Sequence, residues 1–183
     1  MAHGPFKQLV DGSILSDNLA DIAPTSEAAL WPVADYTGIA PNVLRSGQVY
    51  HVTAWGVMDT PGASQGNITL TPRWGTSTGG IALGASAATA LVASATNAPW
   101  RLEYTFMCRK VGLSGNNTKV VGNGYFKAAV ALIAASTGNV VPFGSTAEVS
   151  IDSHSAGGIF MGVTVGNASD LITVMGVLME TWN

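Results

Sequence analysis

Three histidines, one cysteine and four glutamates are the residues from which this 183-residue chain could build chemistry. His3, His51 and His154 stand far apart, so no two of them have the one-turn helical spacing that metal ligands use. Asp152-Ser153-His154 sets three triad residue types in a row. A working triad draws them from separate elements, with the nucleophile on a strained turn beside oxyanion donors, and no G-x-S-x-G elbow is present. Gly75-Thr76-Ser77-Thr78-Gly79-Gly80 lacks the Gly-Lys-Ser/Thr ending and the following helix that hold a phosphate, and it reads as a flexible turn. Glu27, Glu103, Glu148 and Glu180 are scattered, where glycosidase chemistry needs two carboxylates facing each other. Cys108 falls in an alternating apolar run and reads as a small core hydrophobe. No catalytic, metal or cofactor residue is assigned, and no enzyme activity is expected.

The elements that would carry these residues are strands. In Asn67–Trp74 every even position is apolar and every odd one polar, the period of a strand with one buried face. From Trp100 to Arg109 the pattern repeats, with Trp100, Leu102, Tyr104, Phe106 and Cys108 on one face. Ala147, Val149 and Ile151, then Ile159, Met161, Val163 and Val165, continue it, and Val49 to Met58 and Lys119 to Ile133 follow it less cleanly. Leu171 to Met179 is apolar at both parities, which predicts a strand covered on both faces, one cover being a neighbouring subunit. Pro72 predicts an edge or a bulge in its strand. The alanine-rich stretch from Ile81 to Ala95 is read as strand or loop in preference to helix. Turn clusters separate about eight strands, which predicts an all-β, two-sheet sandwich of jelly-roll type.

Residues 1–24 have a different texture. Phe6, Leu9, Val10, Ile14, Leu15, Leu19 and Ile22 are scattered among Gly4, Pro5, Gly12 and Pro24, with Ser16 or Asp17 placed to cap a short helical turn. A solvated tail would not need so many large apolar residues, so this is read as an extended N-terminal arm that docks on a neighbour or on its own domain, residues 25–183. Asp11, Asp17 and Asp21 interrupt any signal-peptide apolar run, and no secretion is expected. The N-x-S/T matches at Asn67, Asn116 and Asn167 are accordingly read as chance. The charge-free stretch from Trp74 to Trp100 is broken throughout by Gly, Ser, Thr, Asn and Pro and is no membrane span.

Charged residues make up only 10% of the chain, against about 25% in a typical soluble domain. A chain so poor in charge is expected to hide part of its exterior against other protein. The net charge of −3 gives no reason to expect nucleic acid or a membrane as partner. Of the five tryptophans, Trp74 and Trp100 fall in register with apolar faces and read as core, whereas Trp31 and Trp182 read as subunit contacts.

Ser26-Glu27-Ala28-Ala29-Leu30-Trp31-Pro32, Gly47 to Gly56, Leu70-Thr71-Pro72-Arg73-Trp74-Gly75 and Asn97 to Glu103 resemble a family of structural proteins from tailed bacteriophages of actinobacteria, over roughly residues 25 to 125. The resemblance implies a trimeric jelly-roll subunit with no catalytic residues. Its leading role would be capsid decoration, binding the major capsid protein on the exterior of a virion assembled in the host cytoplasm. The alternative it leaves is a tail-fibre or receptor-binding head domain whose surface aromatics stack on host cell-wall glycans.

Overall fold

The computed structural model describes residues 7–11 (backbone), 22–31, 37–62, 65–113, 115, 117–129, 132–133 and 139–182. Among these the chain is all strand and turn: β1 (Lys7–Asp11), β2 (Ala28–Ala29), β3 (Gly38–Ile39), β4 (Val49–Asp59), β5 (Asn67–Trp74), β6 (Ile81–Ala82), β7 (Ala85–Ser86), β8 (Thr89–Ala90), β9 (Ala98–Lys110), β10 (Thr118–Ala128), β11 (Val140–Gly144), β12 (Val149–Ile151), β13 (Gly157–Val165) and β14 (Leu171–Trp182). Two antiparallel sheets pack face to face as a β-sandwich. The larger runs β1-β14-β4-β9-β10-β11-β7, with β12 also on β10; the smaller runs β2-β13-β5-β6, with β3 on β13 and β8 on β5.

Alternation decides which side chains meet between the sheets. Tyr50, Val52, Ala54 and Met58 of β4 and Trp100, Leu102, Tyr104, Phe106 and Cys108 of β9 are buried. They face Ile68, Leu70 and Trp74 of β5 and Ile159, Met161, Val163 and Val165 of β13, also buried. Trp74 stacks on Phe106 across the gap, with centroids 5.7 Å apart and planes 6° from parallel. Truncating a ring in such a contact to alanine costs about 3–5 kcal/mol. Burial pushes the Cys108 thiol above its ordinary pKa, in keeping with a packed hydrophobe. The buried indoles still find acceptors: Trp74 Nε1 donates to Asp152 O, Trp100 Nε1 to Val57 O and Trp31 Nε1 to Thr37 Oγ1, each at 3.0 Å.

Pro72 is tolerated because its missing donor faces a gap. On one side β5 pairs with β13 throughout; on the other it meets only β8 at Asn67–Ile68 and β6 at Arg73–Trp74. The Pro72 carbonyl accepts Leu83 N on that interrupted side, so its nitrogen points there too. The alanine-rich stretch forms the short strands β6, β7 and β8. The strand-like run from Lys119 ends at Ala128, short of Ile133, although Leu132 and Ile133 are buried.

Candidate assembly face

The two outer faces of the sandwich differ. On the smaller sheet Phe160 points to the outer side of β13 yet is fully buried, so the chain covers that side along β13 itself, while Thr69, Thr71 and Arg73 of β5 stay partly exposed. Glu27 lies against Gly162 and grips Arg73, with Oε2 accepting from Nη2 at 2.7 Å and Oε1 from Nε. Trp31 is 1% exposed and bonded to Thr37, whose carbonyl accepts Ile159 N. The outer face of the larger sheet has no such cover from the described residues.

That open face is built by the residues opposite to the core set. On β4 they are His51, Thr53, Trp55 and Val57; on β9, Arg101, Glu103, Thr105 and Met107; on β10, Val121, Asn123 and Tyr125. On β14 a bulge decides. Val174 pairs with Gly56 and Gly176 with Trp55, so Met175 is an extra residue and the inward parity changes there. Ile172 and Val174 before the bulge, and Val177 and Met179 after it, all face the core. The doubly apolar look of this strand therefore arises largely from one inward set split by a bulge. A bulge leaves no sign in a period count, which is why two apolar faces were expected. Gly176, Leu178, Glu180 and Trp182 remain for the outside.

These strands bring His51, Thr53, Trp55, Arg101, Leu178, Glu180 and Trp182 around an open hollow of about 420 Å³. Trp55 lies flat across Gly176, where any Cβ would collide with the indole. The imidazole of His51 packs near the Trp182 ring, centroids 6.2 Å apart. Glu103 is the electrostatic centre. It accepts from Arg101 Nε at 2.9 Å and from the Tyr125 hydroxyl, whose pKa this bond pushes up, with His51 Nε2 3.7 Å away. So held, the carboxylate serves as a fixed acceptor. A smaller hollow of about 210 Å³ follows on the same face, lined by Thr105, Met107, Val121, Gly122, Asn123 and Ser145.

Of the residues expected at assembly contacts, Trp182 is 47% exposed at the rim of the hollow. Trp31, expected at a subunit contact, is instead sealed in its own fold and offers no surface to a neighbour. Ile22 pairs with Ile172 through two backbone hydrogen bonds and packs on the core. Leu9 and Val10 lie on β1, which adds to the edge of the larger sheet beside β14. Phe6, Ile14, Leu15 and Leu19, and the turn capped by Ser16 or Asp17, lie outside the described residues. Asp152-Ser153-His154 forms a turn. Asp152 accepts His154 N at 2.9 Å and Ser155 Oγ at 2.8 Å, which lower its pKa, and Ser153 Oγ bonds Thr118 Oγ1 at 2.7 Å. Among the described residues no three His, Cys, Asp or Glu converge as metal ligands.

Sequence reading missed Trp55, His51 and Leu178 as partners, and it missed that Glu103 and Glu180 flank β4 on one face. The parity of β4 holds the signal: Tyr50, Val52, Ala54 and Met58 are the inward set, which leaves His51 and Trp55 outside. Both parities are partly apolar, so the period alone did not choose. No protein-family model matches the chain, and no curated protein matches its sequence.

Proposed function

We propose that this chain is a non-enzymatic structural subunit of a phage particle, a capsid decoration (minor capsid) protein whose oligomers bind the major capsid protein and stabilise the head from outside. The observation that carries the reading is the contrast between the two outer faces: one covered along β13 by the chain's own residues, the other aromatic-lined and open. The low charge agrees with a chain that hides surface in an assembly. The jelly-roll reading is supported by the way the chain alternates between sheets, β4 in the larger, β5 in the smaller, β9 in the larger, β13 in the smaller and β14 in the larger. Stabilisation would come from repeated burial. At about 25 cal/mol per Å² of apolar surface, a few hundred Å² per contact contributes several kcal/mol, multiplied by symmetry. The test is cosedimentation of purified protein with heads that lack it. Saturable binding at a fixed number of copies and a higher head melting temperature are expected; no binding at excess protein would end the reading.

A second reading, a receptor-binding domain, is favoured by one feature. Trp55 is held flat beside Arg101 and Glu180, an arrangement that suits a pyranose ring. It requires saturable binding to host cell-wall polysaccharide that disappears in Trp55→Ala.

A further inference from the structure

We propose that a second copy of this chain docks on the open face of the larger sheet, with the Trp55–Leu178–Trp182 hollow at the centre of the contact. This rests on the reading of the chain as an assembling structural protein and names the first partner in that assembly. The size fits. Four adjacent strands, β14, β4, β9 and β10, have 12, 11, 13 and 11 residues. At about 3.3 Å per residue and about 4.8 Å between strands they offer a rectangle of about 36 by about 19 Å, close to 700 Å² per copy. A stable specific interface needs about 600–1,000 Å² from each partner.

The layout fits as well. Thr53, Trp55, Leu178, Thr105, Met107 and Val121 surround one central ion pair, Glu103 with Arg101, which the chain closes itself. A face that is apolar around an ion pair already matched within the chain can be covered without leaving that pair unmatched.

The charges also choose the partner. On the outward positions, β14 and β4 present Glu180 and Asp59 and no lysine or arginine. At the other flank, β10 presents Lys119 and Lys127 and no carboxylate, and Lys110 of β9 pairs with Lys119 past a bulge at Arg109, while Arg101 is held by Glu103 and Arg109 by Glu148. The face is thus acidic on one flank and basic on the other. Two copies face to face about a two-fold axis parallel to the strands would set the basic flank of each over the acidic flank of its mate. Such a two-fold contact is isologous, the same patch serving on both copies. A second copy therefore carries the complementary charge pattern by construction.

The experiment measures the mass of the full-length purified chain by sedimentation equilibrium across a concentration series, at low and high salt. The expected result is a dimer, or a larger assembly built from it, whose dissociation constant rises with salt. Two variants address the centre. Leu178→Lys buries a charge in the contact, and Trp182→Ala removes a ring already exposed in the single chain. Each is expected to weaken association about thirtyfold or more, with the far-ultraviolet dichroism of the β-sandwich kept. Trp182→Ala serves if Leu178→Lys does not fold. A wild-type chain that remains monomeric at high micromolar concentration overturns the inference. So does an oligomer that neither variant weakens. Cosedimentation with heads separates this from the broader reading: a monomer that still decorates heads overturns the self-docking face alone, and an oligomer that ignores heads overturns the decoration role alone. Saturable binding of cell-wall polysaccharide by a wild-type chain that stays monomeric would assign the hollow to glycan and overturn the inference.

Discussion

Tyr104→Phe should make this protein more stable. The Tyr104 side chain is 1% exposed, stacked on Phe143 at 5.9 Å, and its hydroxyl finds no hydrogen-bond partner in the core. Burial alone drives the phenol far above its ordinary pKa. A buried unsatisfied polar group costs about 1–3 kcal/mol, which the substitution would recover. Against this stands the void left by one oxygen, on the order of 10–15 Å³, costing about 0.3 kcal/mol at about 24 cal/mol per Å³. The net gain is about 1–2 kcal/mol, a rise of about 2–8 °C in melting temperature for a chain of this size. Because association also raises apparent stability, both proteins must be compared at one concentration, by thermal and urea unfolding. A companion substitution locates the effect. A Cβ at Gly122 would collide with Tyr104 Oη, so Gly122→Ala should cost several kcal/mol in the native protein and measurably less in the Tyr104→Phe background. A melting temperature unchanged or lowered by Tyr104→Phe would refute the reasoning, because it would mean that the hydroxyl is satisfied.

Gly176→Ala places a Cβ inside the Trp55 indole, so it should lift that ring from the sheet, shift tryptophan fluorescence and weaken self-association; unchanged emission would show that the ring does not lie there. Asp170 is fully buried, and burial pushes its pKa up against the hydrogen bonds it accepts from Gly66 N and Asn167. A carboxyl whose folded pKa exceeds its unfolded one binds more protons when folded. Its contribution to stability therefore falls as pH rises through that window, and the wild type should gain on Asp170→Asn between about pH 7 and about pH 4 in urea midpoints. Glu27→Gln loses the charge from a part-buried bidentate contact with Arg73 and should cost about 1–2 kcal/mol in denaturant unfolding. Removing residues 1–11 strips β1 from β14 and should speed amide exchange along Met179–Trp182; unchanged exchange would show that the edge does not depend on β1.

Where one face of a strand was plainly apolar and the other plainly polar, the sequence was enough. Asn67–Trp74 and Trp100–Cys108 have the faces that their alternation predicts, since a one-residue slip would turn every core side chain to solvent. Reading was harder where a local feature interrupts the period. In β14 one extra residue at Met175 moves the apolar set from one parity to the other, and only pairing with β4 reveals it. Trp31 stands beside a proline in irregular chain, where no period says which way an indole points. The open face was legible in kind, through the charge deficit, and not in place. Its members come from β4, β9 and β14, and the register that sets His51 opposite both Glu180 and Thr105 is a long-range property.

Glycines in the strands indicate which aromatics the fold commits to. Gly56 lies under Trp100, Gly157 under Trp74 and Gly122 under Tyr104, so inside the sandwich a missing side chain makes room for a ring on a neighbouring strand. Glycine weakens a strand interior by about 0.5–1 kcal/mol relative to alanine, so each such pairing must return at least that much in ring contact. Gly176 follows the same rule on the outer face, where Trp55 lies on it half-exposed and gains only part of the burial that the inner rings obtain. In the isolated chain this pair recovers the least of the four. It becomes as favourable as the others only when another surface covers the free side of Trp55. The glycine thus ties the stability of β14 to occupancy of the face: association should protect the amides around Gly176 from exchange more than those around Gly157, whose ring is already covered.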